Sequence, residues 1–115
     1  MKKYLRKRVE SFKHAFNGIY LLKNEAHIIV HICIAIVTII IGFIQNLSSS
    51  EWYIIILCIA LVLVAEIFNT AIEKTVDYIS LEKHPKAKII KDISAAAVLL
   101  ATIFSAIIGT WILFF

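Results

Sequence analysis

Three long runs of apolar residues dominate the sequence, at residues 28–44, 52–72 and 93–115. Each is long enough, or nearly so, to cross a hydrocarbon core of about 30 Å as a helix that rises about 1.5 Å per residue. Hydrophobic residues make up 61% of the chain, against about 45–50% in a soluble domain. The sequence therefore predicts an all-α membrane protein with three transmembrane helices, in a single domain over residues 1–115.

The segment before the first run, residues 4–22, is too short and too polar to span a membrane. Its apolar residues recur three and four positions apart, with Lys and Arg between them. This spacing predicts an amphipathic surface helix in the membrane interface; a helix packed on another domain is the alternative. The apolar positions are Leu5, Val9, Phe12, Phe16, Ile19 and Tyr20.

Basic residues predict the orientation in the membrane. Seven of the twelve Lys and Arg residues fall in residues 2–23 and five in residues 74–91. Because cytoplasmic loops carry the excess of Lys and Arg, the N-terminus and the 74–91 segment are predicted to be cytoplasmic and the C-terminus external. The net charge of +4 is explained by orientation and anionic lipid, with no reason to invoke nucleic acid.

Polar side chains interrupt the end of the second run. Glu66 would lie about 12 Å deeper in the membrane than Lys74, where a charge costs several kcal/mol unless it is paired, neutralised or hydrated. One such carboxylate can be a protonated packing group, but four polar groups in register indicate a functional site. The four lie within a sector of about 80° on one helix face: Glu66, Asn69, Glu73 and Asp77.

Phosphoryl transfer is the chemistry that suits these groups. A carboxylate withdrawn from water holds a proton more tightly, which makes Glu66 a candidate general base. Glu73, nearer to water, is predicted to bind Mg²⁺ together with Glu25, because Mg²⁺ uses one or two carboxylates plus substrate phosphates. A base at the edge of the bilayer points to a lipid hydroxyl group as the acceptor.

Basic residues around the predicted metal site suggest that it binds polyphosphate. Membrane orientation alone explains Lys83, Lys86 and Lys88 equally well. The chain has three isolated glycines, so neither GxxxxGK[ST] nor GxGxxG occurs, and any nucleotide site must be built from helix side chains. The groups concerned are Lys83, His84, Lys86, Lys88, Lys91 and Asp92.

His27 and His31 lie four residues apart on one helix face and raise a zinc pair as an alternative. Only two ligands are visible, whereas zinc sites use three or four protein ligands. His31 also lies inside an apolar run. Hydrogen-bonded histidines near the membrane interface are therefore favoured.

Several segments of the chain resemble the small bacterial diacylglycerol kinase family. They are EIFNTAIEKTVD at residues 66–77, EKHP at 82–85 and KDISAAAV at 91–98, with FKHAFNGI and NEAH nearer the N-terminus. The pattern ExxNxAIExxVD is specific, because fixed polar residues in an apolar helix seldom recur by chance. The resemblance covers nearly the whole chain.

This resemblance implies a bacterial membrane-bound lipid kinase that uses MgATP and forms a homotrimer with active sites shared between subunits. By the family pattern, Glu66 is the catalytic base at the lipid substrate, and Glu25 and Glu73 bind the metal. An N-terminal arginine contacts nucleotide in the family, and both Arg6 and Arg8 are candidates. The positions matched to nucleotide binding are Glu25, Asn69, Glu73, Asp77, His84, Lys91 and Asp92.

Two branches of the family share this pattern, one phosphorylating diacylglycerol and the other undecaprenol, the polyprenol carrier of cell-wall synthesis. Residues 12–18, 51–52 and 84–85 look more like the undecaprenol kinase branch, and diacylglycerol is the alternative substrate. The chain departs from the family at Lys83, where an aromatic residue is frequent, and at Ile90, where a small residue is usual. Both departures lie near the expected nucleotide.

Two other protein classes fit parts of the sequence. A small proton-coupled transporter would use membrane carboxylates as a proton relay. Here the carboxylates cluster at one interface, and nothing polar continues through the first or third run. A structural or holin-like oligomer has no need of four polar groups between Glu66 and Asp77.

Overall fold

The computed structural model describes every residue from Met1 to Phe115 and is entirely helical. Helix α1 covers Lys2–Leu21 and is followed by a 3-10 turn at Leu22–Asn24; α2 covers Ala26–Ile44, α3 Ser49–Ile79 and α4 Pro85–Phe114. Helices α2, α3 and α4 are long and apolar enough to cross a membrane. The predicted all-α fold with three candidate membrane-spanning helices is therefore confirmed.

Two of these helices are longer than the apolar runs that predicted them. Helix α3 continues past residue 72 to Ile79, and α4 begins at Pro85 instead of residue 93. The 31 residues of α3 measure about 46 Å, against about 30 Å of hydrocarbon. Hydropathy detects only the apolar part of a helix, so it missed the polar turns that continue the same backbone. Both extensions lie at the same end of the bundle, hereafter the polar end.

At the opposite end, α2 and α3 are joined by a tight turn with complete capping. Asn46 has a left-handed φ of 54°. Its amide donates to the Phe43 carbonyl (3.2 Å) and that of Leu47 to the Gly42 carbonyl (3.3 Å), which is a Schellman motif. Ser48 then caps α3, exchanging hydrogen bonds with Glu51 in a capping box. This turn fixes where α3 begins.

The spanning helices pack through narrow faces and enclose little core. Only 11 of 115 residues are buried, and most large apolar side chains face outward. Helix α2 turns Ile28, Ala35 and Gly42 inward, and an added Cβ at Gly42 would lie 2.7 Å from the Trp52 ring. The outward surface is suited to lipid or to other helices rather than to water.

Helix α1 contributes nothing to the buried interior, because none of its residues is buried. Both candidate nucleotide-binding arginines have partners inside α1. Arg6 lies 3.9 Å from Glu10, and Arg8 Nε donates to the Tyr4 hydroxyl at 3.0 Å. The amphipathic placement of α1 on the membrane surface stays a prediction.

Candidate functional site

The polar face of α3 runs from the interior of the bundle to its surface. Glu66 is 5% exposed and Asn69 is 9% exposed. Glu73 is half-buried, and Asp77 is exposed. Successive turns of one helix therefore carry polar groups into progressively wetter surroundings over about 17 Å.

The deepest of these groups, Glu66, is hydrogen-bonded to a histidine on α2. His31 Nε2 lies 2.8 Å from Glu66 Oε1, and the two side chains are 18% and 7% exposed. No other side chain is bonded to the Glu66 carboxyl group; Thr70 donates to its backbone carbonyl. His27, one turn earlier, is exposed. The two histidines of the alternative zinc pair therefore have different surroundings, and only His31 faces the site.

One turn further along α3, a chain of hydrogen bonds crosses to α4. Ser94 Oγ donates to Asn69 Oδ1 at 2.7 Å, and Asn69 Nδ2 donates to Glu73 Oε1 at 3.4 Å. Ser94 and Asn69 are both buried. Because the Ser94 hydroxyl is hydrogen-bonded to the amide oxygen of Asn69, the amide nitrogen is oriented toward Glu73.

Glu25 reaches this part of α3 through an ion pair. It lies at the junction before α2, where the backbone is extended, and its Oε1 is 2.9 Å from Lys74 Nζ. Lys74 follows Glu73 directly and also interacts electrostatically with Glu73 and Asp77. The pair thus brings Glu25 to the turn of α3 that carries Glu73.

Glu25 and Glu73 have the chemistry that Mg²⁺ requires, because both are half-buried carboxylates that offer hard oxygen donors. The chain contains no group of three or more His, Cys, Asp or Glu residues that could hold a metal without other ligands. Two carboxylates with phosphate oxygens completing the shell are a usual Mg²⁺ arrangement. The residues therefore fit a metal that arrives with a nucleotide.

At the polar end, the start of α4 and the end of α3 enclose a depression of about 420 Å³. Lys91 Nζ lies 2.6 Å from Asp77 Oδ1 on α3, and Lys88 Nζ lies 2.6 Å from Asp92 Oδ2 on its own helix. The depression is lined by three lysines and by three carboxylates, Glu82 among them, and it is large enough for phosphate groups. The polar groups lining it include Asp77, Lys83, His84, Lys88, Lys91 and Asp92.

His84 also has a structural task at this end. It is the N-cap of α4, and its Nδ1 accepts the Lys86 backbone N–H at 3.1 Å. Pro85 occupies the first helical position, where its missing N–H has no cost. The predicted nucleotide contact at His84 must therefore use Nε2.

A second cavity, of about 320 Å³, lies among the apolar parts of α2, α3 and α4. Its lining is mostly aliphatic and includes Ile55, Val62 and Leu113. His31 also lines this cleft, so the cleft reaches the His31–Glu66 pair. An apolar chain lying in the cleft would extend to the neighbourhood of the Glu66 carboxylate.

Comparison with known proteins gives consistent matches. A family model described as prokaryotic diacylglycerol kinase matches residues 13–113. The chain is 43% identical over 101 residues to the undecaprenol kinase of Bacillus subtilis (strain 168). The aligned region covers 87% of this chain and 82% of that protein. The chain is 40% identical over 76 residues to a diacylglycerol kinase of Pseudomonas aeruginosa, covering 66% of this chain and 60% of that protein. A diacylglycerol kinase of Synechocystis is 33% identical over 101 residues, covering 86% of this chain and 58% of that protein.

Proposed function

Because the chain belongs to the prokaryotic diacylglycerol kinase family and is a membrane lipid kinase, we propose that it transfers the γ-phosphate of ATP to the hydroxyl group of undecaprenol. The relative that is 43% identical and named undecaprenol kinase supports this acceptor. The relatives named diacylglycerol kinase support diacylglycerol as the second candidate.

The observation that carries the proposal is the position of Glu66. Its carboxylate is buried and belongs to a helix long enough to span the membrane. His31, which is hydrogen-bonded to this carboxylate, also lines an apolar cleft. A water-soluble alcohol has no need of a base in such a place. A lipid alcohol can leave its chain among apolar side chains and present its hydroxyl group to Glu66.

In the proposed reaction, Glu66 accepts the proton of the lipid hydroxyl as its oxygen attacks the γ-phosphorus atom. A new P–O bond forms to the lipid, the bond between the γ-phosphorus and the β–γ bridging oxygen breaks, and ADP leaves. Lys91 lies at the edge of the depression and stabilises the developing phosphate charge once it exchanges Asp77 for phosphate.

Glu25 and Glu73 would hold Mg²⁺ with the nucleotide. When bound there, the ion would supply positive charge to the phosphate oxygens. Ser94 and Asn69 keep the Glu73 carboxylate oriented through their hydrogen bonds. Glu25 must release Lys74 to become a ligand, so Lys74 is then free to pair with phosphate. Asp77, His84 and Asp92 complete the proposed nucleotide surface.

We place the polar end in the cytoplasm of a bacterium, with the N-terminus, and the C-terminus outside. The clustering of basic residues supports this orientation, and ATP is then available to the site. Helix α1 lies along the cytoplasmic interface, and either Arg6 or Arg8 reaches the nucleotide. We propose a homotrimer, which the family resemblance implies; the large apolar surface left exposed by one chain leaves room for contacts with other copies as well as with lipid.

The lipid preference is tested by offering undecaprenol and diacylglycerol side by side, at equal surface density, to purified protein with labelled ATP and Mg²⁺. Faster transfer of label to undecaprenol is expected. Preferential labelling of diacylglycerol would replace the proposed acceptor by the alternative, and no transfer to either lipid would reject both. Measuring the mass of the protein–detergent complex tests the trimer.

A further inference from the structure

We propose that His31 is a positioning residue for the reaction, holding the Glu66 carboxylate so that one oxygen is fixed and the other faces the lipid hydroxyl. This inference rests on the proposed role of Glu66 as the base. His31 is not among the residues that the family resemblance matches to the reaction, and its place in an apolar run predicts only a hydrogen-bonded histidine.

The geometry gives the direction of the hydrogen bond. His31 Nε2 lies 2.8 Å from Glu66 Oε1. An ionised carboxylate has no proton to give, so in the state that acts as a base the imidazole Nε2–H donates and Glu66 accepts. Oε1 is then occupied, and Oε2 has no partner within the chain. Oε2 is therefore the oxygen available to the substrate.

Burial explains why this bond matters more than an ordinary surface contact. Glu66 is 5% exposed, and His31 is the sole side chain bonded to its carboxyl group. Without a donor, an ionised carboxylate at this depth has lost most of its water and gained nothing in exchange. The carboxylate would also be free to rotate about its last torsion, which is broad and roughly two-fold.

The two helices make the contact specific to one histidine. His31 lies on the inward face of α2 between the buried residues Ile28 and Ala35, so its ring is directed at α3. His27 lies one turn away on the same helix and is exposed. The chain thus contains a matched pair: one histidine that contacts the base and one that does not.

The test compares kcat and KM of full-length protein in lipid vesicles, using whichever of undecaprenol and diacylglycerol the wild type phosphorylates faster. His31→Leu removes the donor, and His31→Phe removes it while keeping a ring. His31→Gln restores an N–H donor, and His27→Leu is the control.

We expect His31→Leu and His31→Phe to lower kcat about 10- to 100-fold and to change KM for ATP less than about twofold. This range corresponds to the loss of one charge-assisted hydrogen bond. His31→Gln should recover at least about a third of the decrease in log kcat seen in the donor-free variants. His27→Leu should have the kcat of the wild type.

A second arm separates positioning from folding. In the Glu66→Gln background, adding His31→Leu should lower the residual rate less than about twofold, because the two residues act as a unit. If His31→Leu fails to insert or assemble, His31→Phe and His31→Gln carry the comparison. Wild-type kcat in a donor-free variant, or equal losses in His31→Gln and His31→Phe, would overturn the role of His31 and leave the lipid kinase intact. Full activity of Glu66→Gln, by contrast, would remove the premise itself.

Discussion

Glu66 and Asp77 are carboxylates on the same face of the same helix, yet their surroundings have little in common. Glu66 is buried and bonded to a histidine that is itself mostly buried. Asp77, eleven residues later, is exposed and paired with the ammonium group of Lys91. Water can replace the partner of Asp77 but not the partner of Glu66. Position along α3, more than residue type, therefore decides whether a carboxylate is withdrawn from water, as a base requires, or stays a solvated charge.

The largest expected effect is at the buried end. Glu66→Gln keeps the shape and an oxygen acceptor for His31 but removes the proposed base, so kcat should fall about 10²- to 10⁴-fold. KM for ATP should stay within about twofold, because the groups proposed to bind the nucleotide are unchanged. Asp77→Asn is the matched control and should lose no more than about tenfold, through weaker placement of Lys91. Turnover measured with labelled ATP checks both, and a greater loss in Asp77→Asn would reverse the comparison.

Glu73 lies between Glu66 and Asp77 on α3, is half-buried, and is proposed to bind the metal. Glu73→Gln and Glu25→Gln should each raise the Mg²⁺ concentration needed for half-maximal rate about tenfold, which is about 1.4 kcal/mol. Excess Mg²⁺ should restore part of the rate in these variants and none in Glu66→Gln. A titration of rate against Mg²⁺ distinguishes a ligand from a base. Unchanged Mg²⁺ dependence in both variants would remove these residues from the metal site.

Ser94 tests whether a buried hydrogen bond between neutral side chains also affects stability and activity. Ser94→Ala leaves Asn69 Oδ1 buried without its donor, which should lower the free energy of unfolding by about 1–3 kcal/mol. Because Asn69 then no longer holds Glu73, KM for ATP should rise several-fold. Thermal unfolding in a fixed detergent measures the first effect and initial rates the second. The contact would be of little consequence if neither quantity moved.

The smallest expected effect is on the stability of the exposed pair. Lys91 and Asp77 are 38% and 50% exposed, so Lys91→Met should change the free energy of unfolding by less than about 1 kcal/mol, and by less still at high salt. The same variant should nevertheless turn over slowly, because Lys91 lines the depression proposed to bind phosphate. A large loss of stability would show that the exposed end also supports the fold.

The sequence predicted the arrangement along each helix better than the arrangement between helices. The face that carries Glu66, Asn69, Glu73 and Asp77 follows from helical periodicity alone. The pairing of His31 with Glu66 does not, because it depends on how α2 is rotated about its axis against α3. The sequence predicts that His31 is hydrogen-bonded, but it does not identify Glu66 as the partner.

Ser94 was missed for a related reason. It lies in a helix rich in small residues, where a serine is more often a packing residue than a hydrogen-bond donor to a site. Its burial opposite Asn69 identifies it only when α3 and α4 are placed side by side. The ion pair of Glu25 with Lys74 is similar, since the sequence predicts the depth of each residue but not their contact.

Helix α3 contains neither Pro nor Gly between Ser49 and Ile79, and its start is fixed by the capped turn at Ser48. Glu66 therefore lies about 27 Å along a stiff rod from that turn, close to the roughly 30 Å thickness of a bilayer's hydrocarbon. A thicker bilayer would draw Glu66 deeper below the headgroups, and a thinner one would raise it toward water. Acyl-chain length in the surrounding membrane would then tune the rate, at a fraction of a kcal/mol per ångström of mismatch. The enzyme would in this way sense the thickness of the membrane it works in.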